Sequence, residues 1–342
     1  MFGKKEHKKR GGFLPFVIFR LLLSLTMFCV LALGIYQAFK YFSGVDPIKT
    51  DPKTAIISFL ASDEAGKFIT TIFGITLPKD KNPLNQVTEK LGVSKPENTP
   101  TTHQNQGKLL FKFAIVADSH NDNENLSKAL KQARIEGAKF VIGLGDYTEV
   151  GTVSDLQQAK NIFSSSGLPF YSTAGDHDLW ESRENKLAST TNYNQVFGAS
   201  YQSFSDNNIR FVIVSNADNY EGVDSLQWQW IQDQVAKETA KATYVFMHEP
   251  IYHPSSDRFM GKGNQSVAKQ AAELKDMFQG AKVGGIFAAD IHSFTNYQEP
   301  GTGLKMMTVG AITSQRNTQK PRFALVDVLE DGSYNISDIE VK

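Results

Sequence analysis

Residues 109–120 read LLFKFAIVADSH, an apolar run that ends in two potential metal ligands. The run predicts a buried strand over Leu109–Ala117. A helix is predicted next, over Asn123–Glu136. Further strands and helical segments then alternate along the rest of the chain. This alternation predicts an α/β domain over residues 108–342, with a sheet covered on both faces.

Carboxylates and imidazoles recur directly after five predicted strands. They are Asp118 and His120, then Asp146, then Asp176, His177 and Asp178, then His248, and finally Asp290 and His292. Because the carboxyl ends of the strands form one edge of an open α/β sheet, we expect these side chains to converge. The two-residue spacing, as between Asp118 and His120, directs both side chains the same way if the backbone is extended.

A single strand-end aspartate is typically a turn or capping residue, and a single histidine usually has a structural role. The recurrence at five strand ends instead favours a shared metal site. Oxygen and imidazole ligands without thiolates suit Mn²⁺, Mg²⁺, Fe or Zn²⁺.

The ordered set D-x-H, G-D, G-D-H-D, H and a final x-x-H, within residues 111–300, resembles the calcineurin-like metallophosphoesterases. The resemblance implies a four-layer α/β/β/α sandwich with a dinuclear centre that hydrolyses phosphate monoesters or diesters. A water or hydroxide bridging the two divalent metals would be the nucleophile.

The resemblance also implies a role for each site residue. The first metal would be held by Asp118, His120, Asp146 and His292. Asp146 would bridge to the second metal, which Asp176, His248 and Asp290 would complete. His177 would be the general acid, oriented by Asp178.

Two positions depart from the family pattern. Asp176 stands where asparagine is usual, and Asp290 stands where a histidine is usual. With Asp118 and Asp146 they give four carboxylates, which can neutralise two divalent cations. This charge favours Mn²⁺ or Mg²⁺ over Zn²⁺.

The second motif, Gly145–Glu149, lacks an arginine that would bind a phosphate dianion, which favours a less charged substrate such as a diester. Four residues on other loops are candidates to supply a cation. They are Arg183, His253, Arg258 and Arg316.

A charge-free run of 19 residues, 21–39, predicts a membrane anchor at residues 21–40. As a helix it would span about 28 Å, close to the thickness of the hydrocarbon core. The basic tail at residues 1–20 places the N-terminus in the cytoplasm and the catalytic domain outside it. A cleaved signal peptide and a buried globular helix are the alternatives.

Two segments separate the anchor from the catalytic domain. Residues 41–77 contain apolar side chains at helical spacing, which predicts short amphipathic helices. Residues 78–107 contain four prolines among many polar residues and are predicted to be a flexible linker. The one cysteine, Cys29, excludes an internal disulfide or a zinc site built on cysteines.

The predicted function is a membrane-anchored, extracytoplasmic phosphoesterase. One alternative is a metal-binding surface module with weak catalysis, motivated by the two ligand departures. Another is a nuclease or pyrophosphohydrolase on the same scaffold. Lys+Arg and Asp+Glu both number 36, so the net charge gives no support for a nucleic-acid partner. The sequence leaves substrate and oligomeric state open.

Overall fold

The computed structural model describes residues 107–237, 240–317 and 319–342, together with residues 26–27, 33–34 and 36–37. Contacts divide the chain into two units, Met1–Thr99 and Pro100–Lys342. Within the described residues, no helix combines the length and apolarity needed to cross a bilayer. Apart from the few residues just given, the predicted basic tail, anchor, amphipathic segment and linker lie outside the described residues.

Eleven strands and six helices follow residue 107 in the described part of the chain. The strands are β1 (Leu109–Val116), β2 (Ala138–Gly143), β3 (Phe170–Ser172), β4 (Gln202–Asp206), β5 (Ile209–Ile213), β6 (Ala242–Phe246), β7 (Gly285–Ala288), β8 (Thr295–Gln298), β9 (Lys305–Thr308), β10 (Arg322–Leu329) and β11 (Tyr334–Glu340). The helices are α1 (Asn123–Ile135), α2 (Val153–Ser165), α3 (Trp180–Glu184), α4 (Thr191–Phe197), α5 (Ser225–Val235) and α6 (Gln265–Gly280), with a 3₁₀ turn at His177–Leu179.

The strands form two mixed sheets, where the strand pattern alone predicted one. The first sheet has the order β11-β10-β1-β2-β3, and the second has the order β4-β5-β6-β7-β9-β8. In the first sheet, β1, β2 and β3 are parallel, and in the second sheet β5, β6, β7 and β9 are parallel. The carboxyl ends of these parallel strands carry the predicted metal ligands.

An aromatic core joins the two sheets. Phe113 of β1 is fully buried and contacts Phe140 of its own sheet and Phe211, Phe246 and Phe287 of the other sheet, with centroid distances of 5.3–6.3 Å. Aromatic rings suit this layer because each buries a large apolar area and packs edge to face with its neighbours.

The helices cover the outer faces of the sheets. Apolar residues of α1 and α2, including Leu126 and Phe163, pack on the first sheet. Those of α5 and α6, including Ile231 and Leu274, pack on the second sheet. Side-chain caps begin these helices: Asp122 accepts a hydrogen bond from the Asn125 amide, and equivalent caps precede α2, α5 and α6.

We expect Phe113→Ala to destabilise the protein by about 3–5 kcal/mol, because it opens a cavity between two sheets that cannot close without moving either one. The change is measured by urea unfolding of the full chain. Ile135→Ala is the matched control because Ile135 is 82% exposed, and it should change stability by no more than about 0.5 kcal/mol. Equal effects of the two substitutions would contradict the assignment of Phe113 to the shared core.

Candidate metal centre

Strand pairing brings the ends of β1 and β2 together. The Asp118 amide donates to the carbonyl of Gly145 at 3.0 Å, and the His120 amide donates to the carbonyl of Asp146 at 2.9 Å. These bonds extend the pairing of the two strands into the loops that follow. Asp118, His120 and Asp146 therefore lie side by side because their backbones are hydrogen-bonded.

The loops are not extended, contrary to the geometry assumed for the two-residue spacing. Asp118, His120, Asp146, Asp290 and His292 all have left-handed backbones, with φ between 42° and 65°. Such a conformation costs about 1–3 kcal/mol for each residue other than glycine, and it clusters at functional sites. Their side chains converge because the backbone turns sharply at each strand end.

Two glycines allow the loops after β2 and β3 to touch. A side chain at Gly145 would collide with the backbone of Gly175, and one at Gly175 would collide with the backbone and carboxylate of Asp146. Gly145 also has a φ of +92°, which glycine adopts readily. The Gly-Asp pairs of the two motifs are thus explained by close approach of two backbones.

The first cluster consists of Asp118, His120, Asp146 and His292, which are all buried and offer ligand atoms within 4.8 Å of one another. The Nε2 atoms of His120 and His292 are 3.2 Å apart. The Nδ1 of His292 lies 3.1 Å from the carbonyl oxygen of Arg316, to which it can only donate. That bond leaves the lone pair of Nε2 directed toward the cluster.

The second cluster consists of Asp146, Asp176 and His248. Nε2 of His248 lies 3.6 Å from carboxylate oxygens of both Asp146 and Asp176. Nδ1 of His248 is 2.7 Å from the carbonyl oxygen of Leu144, which fixes the ring with Nε2 facing the carboxylates. Asp146 belongs to both clusters, as a bridging ligand must.

The donor set fits divalent cations. Buried atoms without a hydrogen-bond partner among the described residues include both carboxylate oxygens of Asp118, one of Asp146, one of Asp176, and Nε2 of His248. Buried polar atoms left unpaired are costly, so they imply a partner that accepts electron pairs from oxygen and nitrogen together. A divalent cation meets that requirement at both clusters.

The protonation equilibria of Asp146 and His120 point the same way. Burial raises the pKa of the Asp146 carboxyl well above its usual range. Burial, reinforced by the neighbouring His177 and His292, lowers the pKa of His120 to about 2. A histidine binds metal as the neutral imidazole, the form that the lowered pKa of His120 favours. A carboxyl group binds metal in its ionised form, which at a buried position such as Asp146 needs a positive neighbour.

Asp290 is not brought into either cluster. Its carboxylate instead forms an ion pair with the Arg258 guanidinium, at a nitrogen–oxygen distance of 3.1 Å. The sequence predicted Asp290 as a ligand of the second metal, and the structure places it beside the clusters, with its charge partly compensated by Arg258.

His177 lies against the first cluster. Its amide donates to Oδ1 of Asp146 at 3.0 Å, and its Nδ1 is 2.7 Å from the carbonyl oxygen of Glu149. Trp180 stacks on the imidazole at a centroid distance of 4.0 Å, and His120 packs edge to face against it at 4.7 Å. Nδ1 can only donate to that carbonyl, so Nε2 is the nitrogen that remains for a substrate.

The Asp178 carboxylate, predicted to orient His177, makes its hydrogen bonds to other residues. The Asp178 carboxylate accepts hydrogen bonds from the amides of Thr148 and Gly175 at 3.1 and 3.0 Å, and from the Thr148 hydroxyl at 3.0 Å. It thereby ties the loop after β2 to the loop after β3. The Glu149 carbonyl takes the orienting role, which a sequence pattern of side chains does not reveal.

Asn216 supports the second cluster and was not predicted. Its buried side chain accepts hydrogen bonds from the amides of His248 and Glu249, and it donates to the Glu249 carbonyl at 2.7 Å. Asn216 follows β5 at the same edge of the sheet as the metal ligands, so the pattern of polar residues after strands could have identified it.

Three of the four cations proposed from sequence reach the site. Arg183 donates to the Asp176 carbonyl at 3.3 Å, Arg258 pairs with Asp290, and Arg316 pairs with Glu149 at 2.9 Å. His253 instead accepts hydrogen bonds from the amides of Ser255 and Ser256 within its own loop.

Comparison with protein families gives a match over residues 111–294 to the family described as calcineurin-like phosphoesterase. No curated protein sequence matches the chain.

Several solved structures are similar to this chain. Purple acid phosphatase PPD1 from yellow lupin (Lupinus luteus) seeds is 14% identical, with a TM-score of 0.52 over 70% of this chain and 52% of that chain. GAP50, described as the anchor in the inner membrane complex of Plasmodium, is 15% identical, with a TM-score of 0.48 over 69% of this chain and 86% of that chain. The protein TT1561 of Thermus thermophilus is 13% identical, with a TM-score of 0.45 over 68% of this chain and 99% of that chain. This chain thus spans about half the length of the lupin protein.

We expect Asp146→Asn to abolish stabilisation by metal without unfolding the protein, because asparagine keeps the hydrogen bond to His177 and removes a buried charge. Mn²⁺ at about 100 times its Kd should raise the Tm of the wild type by about 5–10 °C and leave that of the variant unchanged. Asp206→Asn, at a surface aspartate paired with Lys139, is the control and should respond like the wild type. A Tm increase of the same size in Asp146→Asn would show that Asp146 does not bind the metal.

Proposed function

The chain belongs to the calcineurin-like phosphoesterase family, and from that premise we propose that it is a membrane-anchored, extracytoplasmic hydrolase of phosphate esters. Hydrolysis of phosphoric ester bonds is the activity of the family. One observation carries the assignment to this chain: two clusters of buried, unpaired ligand atoms share Asp146, and His177 lies beside them.

We assign the metal ligands by cluster. Asp118, His120, Asp146 and His292 would hold one divalent cation, and Asp146, Asp176 and His248 the other. Bound there, the cations supply a water of lowered pKa and neutralise charge that develops on the phosphate. Asp290 would lie beside the second cation and hold Arg258 there through their ion pair.

His177 would donate the proton that the departing alcohol needs. When a P–O bond breaks, the alcohol oxygen takes up a proton, and Nε2 of His177 is the nitrogen free to provide it. The Glu149 carbonyl and the stacked Trp180 hold the ring in place. A surface module that only binds metal has no use for such a histidine, which favours the enzyme over that alternative.

The sequence-based preference for a diester rested on the lack of an arginine in the second motif. Arg258 and Arg316 contact carboxylates at the site, and both remain about half exposed, so guanidinium groups are present to meet a phosphate dianion. Monoesters and diesters both remain within the proposed substrate class.

The membrane location rests on the sequence of the N-terminal segment. Residues 21–39 are mostly apolar and carry no charge, and six basic residues lie in the 20 positions before them. Insertion with the N-terminus in the cytoplasm would put residues 41–342 on the other side of the membrane.

We expect His177→Ala to lower kcat for ester hydrolysis, and to lower it more when the leaving group is more basic. For an alkyl phosphate kcat should fall by about 10²–10⁴, because the alkoxide cannot leave unprotonated. For p-nitrophenyl phosphate the fall should be much smaller, since p-nitrophenolate leaves without a proton. Steady-state kinetics on both substrates measure the ratio, and equal losses would rule out His177 as the acid.

We expect wild-type turnover to be fastest with Mn²⁺ or Mg²⁺, because the carboxylate-rich site suits hard cations. Asp176→Asn removes one carboxylate from the second cluster and should shift the preference toward Zn²⁺. Asp290→His is the comparison variant, because it also removes a carboxylate but at a position outside both clusters. Rates are measured after stripping the protein of metal and restoring one metal at a time. Fastest wild-type turnover with Zn²⁺ alone would contradict the charge argument.

We expect the full chain to remain with membranes after alkaline extraction, and deletion of residues 1–40 to release it. In intact cells, external protease should digest the catalytic domain once the outer barriers are permeabilised. Release of the full chain by alkali would contradict an anchor, and protection of the domain until the cytoplasmic membrane is lysed would contradict the orientation.

A further inference from the structure

Three imidazole rings at the site direct their Nδ1 atoms toward one pair of residues, Glu149 and Arg316. Nδ1 of His177 lies 2.7 Å from the Glu149 carbonyl oxygen, and Nδ1 of His292 lies 3.1 Å from the Arg316 carbonyl oxygen. Nδ1 of His120 lies 3.8 Å from Oε1 of Glu149. The pair is joined by its side chains, because the Arg316 guanidinium donates to Oε2 of Glu149 at 2.9 Å. Only the approach to His120 uses a side chain, so it is the one that the choice of residue decides.

The His120 ring is neutral and buried, so one of its two nitrogens carries a proton that needs an acceptor. Burial is the main cause of a pKa of about 2 for His120. Nε2 faces the first cluster, 3.2 Å from Nε2 of His292 and 3.5 Å from Oδ2 of Asp146. Nδ1 is buried and has no hydrogen-bond partner within the described part of the chain. The proton on Nδ1 leaves Nε2 able to bind a cation, and the proton on Nε2 does not.

The two tautomers of His120 need acceptors on opposite sides of the ring. A proton on Nε2 could be donated to His292 or Asp146, and it would block the lone pair that a cation requires. A proton on Nδ1 needs an acceptor on the outer side, where Oε1 of Glu149 lies. An acceptor on that side therefore favours the tautomer that binds metal.

The gap between Nδ1 of His120 and Oε1 of Glu149 can close when a cation is bound. The distance of 3.8 Å exceeds that of a hydrogen bond, and the Glu149 side chain is about one-third exposed. A cation on Nε2 withdraws electron density from the ring and makes the Nδ1–H a stronger donor. Movement of the carboxylate by about 1 Å gives a charge-assisted hydrogen bond of ordinary length.

The surroundings of Glu149 hold its carboxylate near that position. The Glu149 amide donates to Oδ1 of Asn121 at 2.7 Å, and Arg316 binds Oε2. Arg316 lies between β9 and β10, in a segment whose Thr313 amide donates to the Asp118 carbonyl at 2.9 Å. The Arg316 side chain is 57% exposed, so its ion pair adds little to stability and serves to orient the carboxylate.

We propose that Glu149 is a positioning residue of the metal centre, whose carboxylate accepts the Nδ1 proton of His120 and so keeps Nε2 of that ring free for the first cation. Glu149 lies outside the two clusters and acts through His120. The inference rests on the metal-dependent function proposed above and adds a residue that governs how tightly one of its two cations binds. Removing an outer partner of this kind typically weakens metal binding by about 10–100-fold.

The test measures Mn²⁺ binding by calorimetry on the metal-free full chain in detergent, with one cluster disabled at a time. His248→Ala leaves the first cluster, and Glu149→Ala should weaken its Mn²⁺ binding by about 10–100-fold in that background. His292→Ala leaves the second cluster, which lacks His120, and there Glu149→Ala should weaken binding by no more than about threefold. With both clusters intact, Glu149→Ala should weaken one Mn²⁺ site and spare the other.

Two further variants separate positioning from a general loss of charge. Glu149→Gln keeps an oxygen that accepts the Nδ1 proton, so at the first cluster it should bind Mn²⁺ at least about fivefold more tightly than Glu149→Ala, the value of one hydrogen bond. Glu330→Ala is the matched control, because Glu330 is half exposed and pairs with Lys108 at 2.8 Å before the start of β1. It should leave the Mn²⁺ affinity of both clusters within about twofold of the parent chain.

Equal weakening of the two clusters by Glu149→Ala would show that Glu149 acts only through its charge. An unchanged affinity of the first cluster in Glu149→Ala, or equal affinities of the alanine and glutamine variants there, would also overturn the positioning role. Each of these results leaves the two-cation centre and the phosphoesterase function intact. Failure of the unsubstituted chain to bind Mn²⁺, Mg²⁺ or Zn²⁺, or to hydrolyse any phosphate ester with them, would instead contradict the function on which the inference rests.

Discussion

The position of Asp146 is the constraint on which the site depends. Its carboxylate is fully buried beside Asp118, Asp176 and His248, where a negative charge is costly unless a cation balances it. The Gly145 and Gly175 backbones approach so closely that no side chain fits between them, and this approach sets the distance between the loops. A pair of cations sharing Asp146 would turn this arrangement of like charges into an attractive one.

The two-sheet architecture is what lets a set of short loops hold that arrangement. The first sheet supplies Asp118, His120, Asp146 and Asp176, and the second supplies His248 and His292 at the ends of its own strands. The aromatic layer around Phe113 fixes one sheet on the other, so the relative position of the two clusters is set by core packing. Hydrogen bonds that the side chains of Asp178 and Asn216 accept from backbone amides then tie the loops to one another.

The sequence predicted β1 to within one residue, because an apolar run such as Leu109–Ala117 is typical of a buried strand. The strand pattern alone did not predict two sheets, since strand order depends on tertiary packing that periodicity does not encode, whereas the family resemblance implied both. The helix α6 was missed although Val267, Ala271, Leu274 and Phe278 have helical spacing, because polar residues dilute that stripe. The convergence of the strand-end residues was predicted, whereas the pairing of Asp290 with Arg258 and of His177 with a carbonyl depends on loop conformation.

The central claim is that two cations share Asp146. Anomalous diffraction from crystals of the chain soaked in Mn²⁺ tests it directly. The account predicts two peaks, one among Asp118, His120, Asp146 and His292 and one among Asp146, Asp176 and His248. A single peak that does not contact Asp146, or no peak at either cluster in a folded chain, would contradict it.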